Sequence, residues 1–97
     1  MLEKEDMYKK YGVDESAPSA LVFYAFLLVG SYSGGDLEVL EEAYAKGKRL
    51  EESAAADIKA DFINHTIYYY FAHAQFDKAL EALEQANEIV RGFELSA

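Results

Sequence analysis

The chain contains no cysteine and a single proline among its 97 residues. Without cysteine there is no disulfide scaffold, thiolate zinc site, iron–sulfur cluster or cysteine nucleophile. One proline and six glycines supply too little punctuation for an all-β fold, which needs many turns. Basic residues are also scarce: nine Lys and Arg stand against eighteen Asp and Glu, a formal net charge of −9. Nucleic-acid affinity comes mostly from cations that neutralise phosphates, and anionic membrane surfaces make the same demand. Neither nucleic acid nor membrane is an expected partner. The longest apolar run, residues 20–29, is ten residues, roughly half the length of a membrane span. Asp14 and Glu15 precede it, where a secretory signal would carry a basic region. The expectation is a cytoplasmic protein with neither span nor leader.

What is present points to helices. Hydrophobic residues make up 52% of the chain, charged residues 28%, and fifteen residues are alanine, the best helix former. A short amphipathic helix is expected over residues 2–11, with Leu2, Met7, Tyr8 and Tyr11 apolar, and residues 1–15 form an N-terminal helix and linker. Pro18 suits the first turn of a helix over 18–33. Gly34-Gly35 is a break, and Asp36 is an N-cap for a helix over 37–50, with Leu37, Leu40, Ala43, Tyr44, Gly47 and Leu50 on one face. Ser53 is the expected cap of a helix from 54 to 71 or 72, with Ile58, Phe62, Ile63, Ile67 and Tyr70 inward. A turn at 73–75 leads to a helix over 76–90, with Phe76, Ala79, Leu80, Leu83, Ala86 and Val90 inward and Gly92 as its stop. The alternative joins these last two into one long helix.

Charge divides the chain into pairs. Residues 16–35 carry no charged side chain, and residues 58–75 carry only Lys59 and Asp61. Residues 36–57 hold seven acids and three bases, and residues 76–97 hold five acids and two bases. A nearly uncharged helix is thus followed by an acidic amphipathic one, twice over. The first of each pair must lie inside or face a partner. This alternation suggests an internal repeat over 18–52 and 53–91.

Residues 75–86 (QFDKALEALEQA) resemble the second-helix half of a tetratricopeptide repeat. In the second unit Tyr70 and Ala79 match the family pattern, Leu83 replaces an aromatic, Ile63 stands where Trp is usual, and Thr66 and Ile67 miss the Leu-Gly pair. In the first unit Tyr24, Leu27 and Tyr44 fit, Leu28 and Leu40 replace glycine and alanine, and Ser31 holds the tyrosine position with Tyr32 one place late. Gly47 and Ala86 fall where the helices approach closely. The units are offset by 39 residues rather than about 34, and neither ends in proline. The resemblance implies an all-α fold: two stacked antiparallel helical hairpins with a short N-terminal helix. A four-helix up-down bundle is the alternative the same apolar pattern permits. It also implies a concave binding side built from the first helix of each unit, carrying Val22, Ala25, Phe26, Val29, Tyr32, Asp61, Asn64, His65, Tyr68 and Phe71. Family members that clamp a C-terminal carboxylate use lysine and arginine on those helices. Here only Lys59 is available, so no such clamp is expected.

Residues 68–71 (YYYF) place four aromatics in a row. Consecutive helical side chains diverge by about 100°, so at least one must leave the core or meet another element, as interface aromatics do. Asp61 with His65, and His73 with Asp77, share helical spacing suited to two metal ligands or, more simply, a His–Asp hydrogen bond. No carboxylate–histidine motif accompanies them. The acids Asp77, Glu81, Glu84 and Glu88 form a strip at helical spacing.

The function expected is a protein–protein interaction module, adaptor or chaperone-like, that binds a peptide or helix through Phe26, Val29, Tyr32, Asn64, His65, Tyr68 and Phe71. The alternative is an acidic effector or inhibitor that occupies a basic or nucleic-acid-binding site on another protein. No catalytic residue, cofactor or metal is expected. The apolar circumference of the 18–33 helix further predicts either cover from the N-terminal helix or a homodimer.

Overall fold

The computed structural model describes residues 14–96, with side chains as far as residue 93. The helix expected over 2–11 lies outside the described residues. Those described are all-helical: α1 (Ala20–Gly34), α2 (Leu37–Leu50), a 3-10 turn (Glu51–Ser53), α3 (Ala56–His65), α4 (Ile67–Ala72) and α5 (Phe76–Ser96).

α1 begins two residues beyond Pro18, after a turn in which Asp14 accepts hydrogen bonds from the Ser16 backbone N–H and hydroxyl. It ends where the glycine pair demands. Gly35 takes a left-handed φ of 72°, its N–H donates to the Tyr32 carbonyl and the Asp36 N–H to the Ser31 carbonyl. This is the glycine-dependent closure of a helix C-terminus. Asp36 then accepts from the Val39 N–H at 3.2 Å, capping α2. Two residues therefore turn the chain back, and α1 and α2 pack as a hairpin.

The second hairpin is less regular than its sequence pattern. Ser53 does not cap α3: its hydroxyl donates to the Leu50 carbonyl, and α3 starts at Ala56. The single helix expected over 54–72 is interrupted at buried Thr66. The Thr66 hydroxyl donates to the Ile63 carbonyl at 2.5 Å, and its N–H is shared between the Phe62 and Ile63 carbonyls. Back-bonding of this kind tightens a helix locally. The turn at 73–75 separates α4 from α5. There Ala74 takes a φ of 55° and the Gln75 N–H donates to the Tyr70 carbonyl, the same closure as at Gly35 but without glycine.

The spatial order is α2, α1, α3 with α4, then α5. One core joins Leu21, Tyr24, Leu27 and Leu28 of α1 to Leu40 and Ala43 of α2 and Phe62 of α3. A second joins Ile63 to Ala82 and Ala86 of α5, flanked by Ile67, Tyr70 and Ile89. Phe62 seats directly on the backbone of α2: a Cβ on Gly47 would lie 2.2 Å from its ring carbons. α5 does not present the expected face. Ala79, Ala82 and Ala86 are buried and Leu83 is half-buried, while Phe76, Leu80 and Val90 are exposed. The small residues allow α5 to approach closely, which turns the larger ones outward. Leu37 is likewise exposed rather than inward. Gly92 does not stop α5, which continues to Ser96. Glycine costs about 1 kcal/mol inside a helix relative to alanine, and it acts as a stop only in the left-handed conformation, which Gly92 does not adopt.

Candidate functional site

α1 has fifteen residues, none charged. Ala20, Leu21, Tyr24, Ala25, Leu27 and Leu28 are buried, yet Phe26 is 64% exposed, Val22 54% and Tyr32 42%. An apolar helix is thus covered on part of its circumference and exposed in two directions: Val22 and Phe26 share one face, and Tyr32 stands about 120° round the helix from Phe26. Tyr32 is the one that meets α4. The Tyr32 ring lies 5.4 Å from that of Tyr68 and 6.5 Å from that of Phe71. The Tyr68 ring lies 6.5 Å from that of Phe71 and 6.2 Å from the His65 ring. These spacings are within the range of favourable aromatic contact. Val29 is half-buried on α1, and Asn64 is exposed one turn before Tyr68.

The four aromatics at 68–71 are sorted by direction. Tyr68 and Phe71 join Tyr32. Tyr69 stacks flat on Tyr44 of α2, with centroids 3.7 Å apart and planes 4° from parallel. The Tyr70 hydroxyl pairs with that of Tyr44 at 2.8 Å. Burial, then the bond to Tyr70, pushes the Tyr44 phenol well above its usual range. Burial, then the nearby Glu41 carboxylate, also raises Tyr69. Two rings thus join the hairpins, and two face outward.

The histidines serve local structure. His65 Nδ1 donates to the Asp61 carbonyl at 2.7 Å, 3.6 Å from the Asp61 carboxylate. His73 does not pair with Asp77: its Nε2 lies 2.5 Å from Glu41 of α2, and its ring lies 4.5 Å from that of Tyr69. Among the described residues no group of three or more His, Cys, Asp or Glu could hold a metal ion. A polar cleft of about 240 Å³ is lined by Lys48, Glu51, Thr66, Tyr70, Lys78 and Glu81, among others. It is smaller than the roughly 300–1,000 Å³ of typical small-molecule sites.

The structure brings Tyr32, His65, Tyr68 and Phe71 together and leaves Phe26 exposed on the same helix as Tyr32. It corrects the placement of Ala25, which is buried. It adds Phe76, expected inward but 64% exposed, with its ring 6.2 Å from Phe71. The signal for Phe76 was the run of alanines at 79, 82 and 86, which marks the close-packed face of α5 and puts Phe76 off it. Asp77, Glu81, Glu84 and Glu88 are all exposed. Among the described residues, no helix is long and apolar enough to cross a membrane. No family model, curated protein or solved structure matches the chain.

Proposed function

We propose that the chain is a protein–protein interaction module that holds a peptide or helix against the aromatic strip formed by α1, α3 and α4. One observation carries this reading: Val22 and Phe26 stand exposed on a helix with no charged residue, and exposed Tyr32 of the same helix meets the rings of Tyr68 and Phe71. Isolated surface hydrophobes are ordinary, but several large side chains exposed on and beside one uncharged helix mark a contact surface. The tetratricopeptide-like reading of the two hairpins rests on Tyr24, Leu27, Tyr44, Tyr70 and Ala79, with the first helix of each unit lining the strip. A cytoplasmic setting goes with it.

The test is selection from a displayed library of peptides and short helices, followed by rebinding to a Tyr68→Ala, Phe71→Ala variant. Binders that lose affinity for the variant support the reading. Binders indifferent to it, and lost at high salt, would move binding to the acids of α5, as an acidic effector requires. A homodimer through α1 is the remaining form of the same idea, and sedimentation at micromolar concentration reads it directly.

A further inference from the structure

We propose that the occupant of the strip is a basic amphipathic helix, its apolar side on Phe26, Tyr32, Tyr68 and Phe71 and its lysines or arginines against Asp57 and Asp61. This rests on the interaction-module reading of the same strip and adds the chemistry of the partner.

Two acids stand on the α3 side of the strip. Asp57 and Asp61 are exposed on α3, four residues apart and therefore on one face. That face continues through Asn64 to Tyr68, and Asp61 is tied to His65, whose ring neighbours Tyr68. α1, across the strip, has no charge to offset them. The base nearest in sequence, Lys59, is half-buried and stands two residues from each aspartate, on the opposite side of the helix. The lysines of α2 are engaged elsewhere: Lys46 pairs with Glu15 and Glu42, and Lys48 with Glu51. At the far end Asp77 and Lys78 follow Phe76, both exposed, and offset each other, so the preference rests on Asp57 and Asp61. The whole chain carries −9, so the longer-range field favours the same kind of partner. Arginine adds a further fit, because a guanidinium stacks on tyrosine faces such as those of Tyr32 and Tyr68.

The strip favours a helix over an extended strand. An extended peptide brings unpaired backbone groups that need partners, whereas a helix satisfies its own and presents side chains alone. The strip offers side chains: rings, two phenols and one amide. From Val22 to Tyr32 it runs ten residues of α1, about 15 Å, or some three turns of an opposing helix.

The probes are three labelled synthetic amphipathic helices with the same leucine face and a polar face of arginine and lysine, of glutamine, or of glutamate. Binding is read by fluorescence anisotropy to the full chain at low and physiological salt. The basic helix should bind roughly tenfold tighter than the glutamine helix at low salt, with the acidic helix weakest and the gap narrowing as salt rises. Asp57→Asn with Asp61→Asn should close most of that gap and leave the glutamine helix unchanged. Phe26→Ala with Tyr68→Ala should weaken all three. All the substituted residues are at least partly exposed, and circular dichroism confirms that the variants fold. Equal binding of the three helices, lost in Phe26→Ala with Tyr68→Ala, overturns the basic preference and keeps the strip as an interaction site. Binding indifferent to Phe26→Ala with Tyr68→Ala, or no binding by any helix, overturns the site as well. A basic preference untouched by Asp57→Asn with Asp61→Asn but lost when Glu81, Glu84 and Glu88 are neutralised assigns it to α5 and overturns the proposal. A dimer dispersed by Phe26→Ala with Tyr68→Ala, with no helix bound, gives the strip to a second copy and also overturns it.

Discussion

Ala74 holds a left-handed conformation that alanine resists. Its φ of 55° closes the C-terminus of α4 as Gly35 closes α1, and the left-handed region costs an L-residue about 1–2 kcal/mol. Glycine removes that strain and adds some unfolded-state entropy. Ala74→Gly should therefore stabilise the protein by about 0.5–1 kcal/mol, read as a higher urea midpoint with an unchanged slope. Tyr44 gives a pH prediction. Burial and the bond to Tyr70 raise its phenol in the folded state, so folding favours the neutral form. The stability from this group is whole below the unfolded tyrosine pKa of about 10. It is lost as pH climbs from there toward the folded value. Tyr44→Phe cannot ionise, so its stability should fall less steeply than wild type in urea titrations from about pH 9 upward. Parallel slopes would show that Tyr44 is not the group concerned.

The elements interlock where side chains are smallest. Phe62 occupies the space where a Gly47 side chain would stand, and it is fully buried. Gly47→Ala should cost about 1–3 kcal/mol through overpacking. Combined with Phe62→Leu, the loss should be less than the sum of the two, because the clash is gone. An additive pair would mean the hairpins are not seated through this contact. At this scale the helical class was legible from composition, and α1 from its uncharged run. The turn at Gly35-Asp36 was legible because glycine and aspartate there each have one physical task. The inward face of α5 was not. Hydrophobicity places Phe76, Leu80 and Val90 inside, but close approach of two helices favours Ala79, Ala82 and Ala86, and only packing decides between them. The break at Thr66 depends on one hydroxyl turning back on its own helix, an option that sequence spacing does not record. In the site, Tyr32, Tyr68 and Phe71 came together because helical phase places them on one side. Ala25 was misplaced and Phe76 missed because phase alone does not say how far a neighbouring helix reaches.

The whole molecule is held together against its own charge. With eighteen acids and nine bases, self-repulsion opposes the compact state, and salt relieves it. The contact of Glu41 with His73 across the hairpins is exposed and contributes little. The melting temperature should thus rise by a few degrees between about 10 and 200 mM sodium chloride. A fall with salt would mean that surface ion pairs outweigh the repulsion.

The flat stack of Tyr44 on Tyr69 has an optical consequence. The chain has eight tyrosines and no tryptophan, so nothing brighter masks phenol absorption or emission. The two rings come from different hairpins, 3.7 Å apart and nearly parallel, and chromophores held so close share their excitation. The junction between hairpins carries its own unlabelled reporter, a near-ultraviolet dichroic signal that vanishes when they part, even while each hairpin keeps its helices.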